Sequence, residues 1–535
     1  MKNVEDIYPL TPLQGGMLFH SLMAPESGVY VNQVTCTLPA DLDSRLFRQA
    51  WERLVQRHGV LRTAFLWDGL DEPLQVVRKT VSIPWQDLDW RGLPAAERQR
   101  RFEELRHRDR HAPLPLNQAP LMRFSLVRLD GELAFLWTSH HLLLDGWSLP
   151  LLVRELVSVY GALRAGREPD LPPARPFGDY VAWLQRQDTS RAESFWRGEL
   201  AGFTAPNPLG IAPPAGAERA SGHGEHGIRL SREVTAELQA LAARHKVTLQ
   251  TLTLGAWAVL VSRYSGEEDV VFGNVVSGRP ASLPGVEAMV GMFVNTLPVR
   301  VRVDGAESLV AWLQHLQERQ LARQELEHTP LSQIQRWSEI PAGSPLFESL
   351  YVFENYPDAG DGGSGGLRIG DLRSDESTNY PLTLTLTAAD QVALHLMYER
   401  ARVDDDGATR LLGHLATLLA GLAEGLERHV RLVGELGLLT PTEALQLAGW
   451  NDTASDYPHA CIHELFAGQA ERSPDAVAVA FGAGDLTYGE IGRRSRRLAR
   501  RLRRSGVGPG SRVGLGAESL PERVVGMLGI LAAGG

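Results

Sequence analysis

The sequence predicts a mixed α/β protein of more than one domain, and three observations predict it. Short apolar runs bounded by turn residues, such as Leu133-Ala134-Phe135-Leu136-Trp137 after Asp130-Gly131, read as strands buried on both faces. Stretches with apolar residues at helical spacing alternate with them: Phe47, Ala50, Trp51, Leu54 and Val55 within 46–57, and Leu152, Leu156, Tyr160 and Leu163 before Gly166. The third is size, since 535 residues exceed one ordinary domain of about 100–200.

Composition narrows the function. A hydrophobic fraction of 43% with 22% charged residues is that of a globular chain, not a disordered one. The net charge of −10 argues against nucleic acid as the partner, because phosphate binding needs a basic surface. Only Cys36 and Cys461 occur, and Met1-Lys2-Asn3-Val4 opens no apolar signal segment, so a reducing cytoplasm without disulfides is expected. No apolar run reaches the roughly 18–20 residues of a membrane span, so no membrane partner is expected.

In order, Ile7-Tyr8-Pro9-Leu10-Thr11-Pro12-Leu13-Gln14 gives an entry loop and a helix from Leu13 capped by Thr11, with His20 read as a packing residue. The helix over 46–57 runs through Arg57-His58-Gly59-Val60-Leu61-Arg62-Thr63-Ala64-Phe65 into a strand; favourable cations at a helix end explain Arg57 and His58 better than Arg62. Residues 97–110 are charge-dense, the mark of a solvated helix face.

The most chemically loaded stretch is Thr138-Ser139-His140-His141-Leu142-Leu143-Leu144-Asp145-Gly146-Trp147-Ser148: a strand end, two histidines, a turn and a helix starting at Ser148 with Pro150 close behind. Strand side chains alternate faces, so His140 and His141 point opposite ways and only one faces a reaction centre. Asp145 sits in a tight turn closed by Gly146, a residue that tolerates backbone angles others cannot; its carboxylate would orient the turn or pair with a buried cation.

Beyond it, proline-rich 169–176 suggests a crossing between lobes, Trp183, Leu184, Phe195 and Trp196 fall in a helical stretch, and 204–220 is a loop. His223-Gly224-Glu225-His226 leads into a strand without a third ligand, so no metal is assigned. Asp269-Val270-Val271-Phe272-Gly273-Asn274-Val275-Val276 is a strand ending in the turn Ser277-Gly278-Arg279-Pro280, and 289–300 reads as a second such strand. Residues 360–366 are a flexible loop, and the alanine- and leucine-rich 407–435 closes the domain. In 493–504 eight arginines surround a stripe of Ile491, Leu498 and Leu502, which leaves the arginines on the solvated face.

His-His-x-x-x-Asp-Gly at a strand-to-helix turn resembles the active-site motif of nonribosomal peptide synthetase condensation domains. The resemblance extends to the opening motif at Tyr8-Pro9-Leu10-Thr11-Pro12-Leu13-Gln14, to Arg57-His58-Gly59-Val60-Leu61-Arg62-Thr63, to the turn at Arg279 and to Met292-Phe293-Val294-Asn295-Thr296. Pro345-Leu346-Phe347-Glu348 and the degenerate Tyr398-Glu399-Arg400-Ala401 stand where later motifs belong. It implies two chloramphenicol-acetyltransferase-like lobes in a V, residues 1–172 and 173–438, with His141 at their junction. The catalytic set it implies is His141, with His140, Asp145 and Gly146; Asp145 holds the site together through an arginine and Gly146 lets a substrate arm approach. Arg62, pointing toward the active centre, Arg279, Asn295, Trp147 and Ser148 are implied as structural or substrate-orienting residues. After a linker at 439–460, Ile462-His463-Glu464-Leu465-Phe466 and Leu486-Thr487-Tyr488-Gly489-Glu490-Ile491 resemble the start of an adenylation domain, 461–535, expected to fold at most partly and not to activate amino acids alone.

The resemblance implies transfer of an acyl or peptidyl group from an upstream carrier protein's phosphopantetheine thioester to the amine held by a downstream carrier, with no cofactor bound covalently to the chain itself. A histidine suits this reaction because its ordinary pKa of about 6.5 lets it accept a proton near neutrality. Ser139 offers no acyl-enzyme route, lacking a Gly-x-Ser-x-Gly elbow. The opening motif and Leu142-Leu143-Leu144-Asp145-Gly146-Trp147 are similar to the subclass that accepts D-configured donors. The few residues before Ile7 agree with a donor delivered by a separate polypeptide. An epimerization domain, which shares the double histidine, and a free acyltransferase of related fold are the alternatives; the adenylation-like segment argues against both. A noncatalytic docking module is disfavoured by the intact motif, and a heterocyclization domain would carry aspartate in place of His140.

Overall fold

In chain order the elements are β1 (Val4–Pro9), α1 (Pro12–Met23), β2 (Val31–Pro39), α2 (Ser44–Arg57), β3 (Thr63–Leu66), β4 (Leu74–Arg78), β5 (Trp85–Asp89), α3 (Ala95–His111), β6 (Met122–Arg128), β7 (Glu132–His140), α4 (Ser148–Arg164), α5 (Phe177–Leu184) and α6 (Thr189–Glu199). There follow β8 (His223–Arg229), α7 (Arg232–His245), α8 (Leu249–Ser265), β9 (Asp269–Val276), β10 (Asn295–Arg302), α9 (Leu309–Gln324), α10 (Leu331–Trp337), β11 (Ser349–Glu354), β12 (Gly370–Asp375), β13 (Leu382–Ala388), β14 (Val392–Glu399) and α11 (Asp405–Arg428). The last are α12 (Pro441–Asn451), α13 (Ile462–Arg472), β15 (Val477–Phe481), β16 (Gly484–Thr487), α14 (Tyr488–Arg504) and α15 (Leu520–Ala533). The computed structural model describes residues 3–25, 28–211, 222–355, 367–375, 378–428, 431–482 and 484–535, in two compact units, Met1–Glu443 and Ala444–Gly535.

Caps set the helix starts. Thr11 and Gln14 bond reciprocally at the head of α1, and the Asp43 carboxylate accepts from the amides of Arg45 and Leu46, so α2 begins at Ser44, two residues before the expected start at 46. The stripe is the expected one: Phe47, Ala50, Trp51, Leu54 and Val55 are the buried residues of α2. They meet a five-stranded sheet of order β12-β2-β7-β6-β5, where Trp51 lies 4.7 Å from Phe124 and 4.9 Å from Trp137 between ring centroids. Of α3 only Leu105 is buried, as its charge density predicts.

The second half of the first unit is a six-stranded sheet of order β10-β9-β11-β13-β14-β8, covered by α7, α8 and α11. Helix α8 is buried from Thr251 to Ser262 without a polar face, which makes it a central element. His223 and His226 sit on β8 at the end of this sheet.

Three expectations need correction. Residues 289–300 are not one strand: β10 starts at Asn295, because the backbone of Gly291 and Phe293 is bonded instead to the turn at Asp145 and Ser148. The lobes are not separated by one cut at 172/173, since β12 pairs antiparallel with β2 and belongs to the first sheet. The stretch 439–460 is not all linker, because α12 forms within it. The loop expected at 204–220 is irregular backbone to 211, and its remainder lies outside the described residues, as does the Gly-Gly-Ser segment at 360–366.

The second unit stacks α14 against α15. Ile491, Ser495 and Ala499 are its buried contacts, with Leu498 packed against Gly529, and all eight arginines of 493–504 are exposed. No helix among the described residues is long and apolar enough to cross a membrane.

Candidate active site

Strand β7 carries the motif to its end. His140 is its last residue, opposite Val31 of β2, and its side chain is 4% exposed. Its Nδ1 accepts from the Leu142 amide at 3.2 Å, which leaves Nε2 as the protonated nitrogen, 3.2 Å from Ser21 Oγ. Burial, with the neighbouring His141, holds the His140 pKa down to about 3. A neutral, enclosed ring is a structural part. His140 therefore does not belong with the catalytic residues the resemblance implies.

His141 turns the other way, as alternation requires, into a cavity of about 1030 Å³ lined by both halves of the first unit. Its amide donates to Tyr30 O at 2.7 Å and its Nδ1 lies 2.6 Å from Leu144 O. A carbonyl only accepts, so Nδ1 carries the proton, and in the neutral form of such a ring the accepting nitrogen is Nε2, the one a general base uses. Tyr30 holds a left-handed φ of 65° to present that carbonyl, strain of the kind functional sites concentrate.

Asp145 does not reach the cavity. Its buried carboxylate accepts from Ser148 N (2.9 Å), Ser148 Oγ (2.7 Å), Phe293 N (3.1 Å) and Arg279 Nη2 (3.2 Å), so it is the hub that ties the motif turn to the second half. Ser148, fully buried, also meets Gly291 N and O at 3.0 Å each. Burial lowers the Arg279 pKa while Asp145 opposes the shift; the guanidinium lies 4.0 Å from the Phe293 ring centroid and 5.7 Å from that of Trp147. Trp147 donates from Nε1 to Glu287 O at 3.1 Å. The turn that brings Arg279 in needs Gly278: at its φ of +61° a Cβ would stand 1.8 Å from Phe293 O.

Gly146 lines the cavity, yet it is not among the glycines with left-handed φ, so open access rather than an unusual backbone angle is what it supplies. Asn295 also lines the cavity, with Nδ2 donating to Glu327 O (2.8 Å) and Thr329 O (2.7 Å). Arg62 is placed elsewhere. It is 3% exposed, bonded to Glu5 at 2.7 Å and to the last carbonyls of α2, Val55 and Gln56, and it borders a separate small pocket, so it does not point toward the centre. His20 corrects the other way: exposed on α1, it lines the cavity, while Gln14, Met17 and Leu18 take the core-facing positions.

The opening motif contains Gln14 but assigns it no role; its Nε2 donates to Leu142 O at 2.9 Å and fixes the turn after the histidines. Among the described residues no group of three or more His, Cys, Asp or Glu is placed to hold a metal.

The condensation-domain family model matches residues 4–448. The chain belongs to that family. An AMP-binding enzyme model matches 466–535, so this condensation domain of nonribosomal peptide synthetase type is followed by the start of an AMP-binding domain. Among curated relatives, a linear gramicidin synthase from Brevibacillus parabrevis is 42% identical over all of this chain and 11% of its own length, and bacitracin synthase 3 from Bacillus licheniformis is 35% identical over 99% of this chain and 8% of its own. The chain thus spans about a tenth of such relatives. Among solved structures, the synthetase FmoA3 in its AMPPNP-bound form aligns with TM-score 0.79 at 24% identity, covering 100% of this chain and 55% of that one. The first condensation domain of the calcium-dependent antibiotic synthetase, with a substrate analogue, aligns at 0.67 and 22%, covering 82% and 100%. These show the mixed α/β, chloramphenicol-acetyltransferase-like fold of condensation domains.

Proposed function

We propose that the domain makes amide bonds between two carrier-bound thioesters, with a donor whose reacting residue is D-configured. The observation that carries the reading is His141: its Nδ1 proton is committed to Leu144 O in a large cavity lined by both halves of the domain. The acceptor amine attacks the donor thioester carbonyl; a C–N bond forms, the C–S bond breaks, the ammonium proton passes to His141 Nε2, and the donor phosphopantetheine leaves as a thiol after reprotonation. General-base help of this kind contributes about 10²–10⁴-fold, and holding both tethered reactants in line contributes as much again. The partners are an upstream and a downstream peptidyl carrier protein, each bearing a phosphopantetheine arm, together with the adjoining adenylation domain, in the cytoplasm.

Support for the D-donor lies in the opening motif and in Leu142-Leu143-Leu144-Asp145-Gly146-Trp147. Inverting the α-carbon exchanges hydrogen and side chain, so the wrong epimer displaces its carbonyl, and about 1 Å of misplacement costs on the order of 10²-fold. The experiment loads the upstream carrier with each epimer of one dipeptide and follows early amide formation on a loaded downstream carrier. Faster transfer of the D-epimer is expected. Equal rates would remove the stereochemical assignment, and no product from either would remove the condensation reading.

A further inference from the structure

Strand β13 alternates leucine and threonine, and the alternation sorts two environments. Leu382, Leu384 and Leu386 are buried in the core of the second half, while Thr383, Thr385 and Thr387 line the same cavity as His141. Strand register extends this face sideways, with carboxylates and an imidazole interspersed among apolar positions. Thr383 stands opposite Leu350 of β11 and Met397 of β14, and Met397 stands opposite Glu225 of β8. Thr385 is opposite Val352 and His395, and Thr387 is opposite Glu354. Thr387 Oγ1 donates to Glu354 at 3.1 Å, and Glu225 lies 3.7 Å from His395 Nε2.

Such a floor sets terms for what lies on it. Covering hydroxyls and carboxylates with aliphatic groups strips their water without replacing its hydrogen bonds. Glu225, Glu354 and Asp375 are the carboxylates of the lining, Asp375 being held by Arg106, and among the described residues no Lys or Arg lines the cavity to receive an anion. At about 1030 Å³ the cavity matches the upper end of the ~300–1,000 Å³ that takes drug-sized ligands, more than a single aminoacyl group needs.

We propose that the β8, β11, β13 and β14 floor is a subsite for the upstream residues of the donor peptidyl chain, and that it takes side chains donating hydrogen bonds, amides or ammonium groups, ahead of aliphatic or carboxylate ones. The inference rests on reading the cavity as the seat of peptidyl transfer. Three tripeptidyl-pantetheine probes test it, identical in the reacting residue and carrying glutamine, leucine or glutamate at both upstream positions. Calorimetric titration should show the glutamine probe binding at least about tenfold more tightly than the other two. Glu354→Gln and Thr385→Val should each shrink that ratio, and equal affinities for the three probes, or a ratio untouched by both substitutions, would overturn the subsite. Transfer from carrier-loaded forms of the same tripeptides separates the two claims. The glutamine ranking in binding without transfer supports the subsite and sinks the condensation reading, whereas equal binding with normal transfer does the reverse.

Discussion

The Asp145–Arg279 pair and the ion pairs of α3 are built from the same chemical groups in opposite surroundings. The first is enclosed, with side chains 0% and 4% exposed, and each partner is further engaged: Asp145 by three donors from Ser148 and Phe293, Arg279 by the carbonyls of Val286 (2.6 Å) and Met289 (2.8 Å). The second, Glu97 with Arg100 (2.8 Å) and Arg101 (2.7 Å), lies in water on a helix that buries one leucine. Shorter distances on α3 do not make it the stronger brace. Buried ions have lost their hydration and depend on each other, whereas exposed ones exchange one solvated state for another.

The sharpest contrast falls inside the motif turn itself, between a residue that faces the cavity and one that holds the turn. His141→Ala should lower amide formation between loaded carriers by at least about 10²-fold, toward loss of activity, because it removes the proposed proton acceptor. Its melting temperature should stay near that of the parent, since the ring faces a cavity rather than the core. Near-parental transfer would end the assignment of His141.

Asp145→Ala should do the opposite: it strands a buried guanidinium and costs about 3–5 kcal/mol of stability. Replacing both partners, Asp145→Leu with Arg279→Met, should recover much of that loss, as removing both charges removes the stranded one. Chemical denaturation reads both outcomes. A soluble, fully stable Asp145→Ala protein without activity would move Asp145 into the chemistry and dissolve the contrast.

His140 supplies a pH-dependent counterpart. Its folded pKa of about 3 lies below the ordinary 6.5, so the unfolded chain takes up a proton that the folded chain refuses. Its contribution is complete above about pH 6.5 and is lost progressively as pH falls toward 3. His140→Gln should flatten that part of the stability curve relative to the parent protein; parallel curves between pH 6.5 and 4 would mean that His140 is not held neutral.

Much of this architecture is legible in the sequence where one local pattern decides the outcome. The α2 stripe, the charged surface of α3 and the opposite facing of His140 and His141 all follow from period and alternation. What sequence could not show is what depends on distant backbone. Met289-Val290-Gly291-Met292-Phe293-Val294 has a strand's composition, yet Gly291 and Phe293 spend their hydrogen bonds on Ser148 and Asp145. Arg62 and Arg279 are both motif arginines at turns, but the carbonyl end of α2 and Glu5 capture the first, while only the second finds a buried carboxylate across the fold. Strand β12 joins a sheet whose other members all precede it by more than 200 residues, a pairing no local window contains.

The smallest effect should come from α3. Hydrogen bonds from Arg100 and Arg101 hold the Glu97 carboxyl down to about 2, so the sign is clear: whatever the group contributes is present above the ordinary carboxylate range and lost as pH falls through about 2. The site lies at the surface, however, with Glu97 28% and Arg100 57% exposed, and salt near 0.15 M screens charges beyond about 8 Å while competing for closer ones. Glu97→Ala should therefore leave the melting temperature within experimental error of the parent at physiological salt, with any difference confined to low ionic strength. Measuring both salts against Asp145→Ala tests the comparison directly. A loss for Glu97→Ala that equals the Asp145→Ala loss and survives high salt would show that α3 is braced by its charges, and that burial is not what separates the two regions.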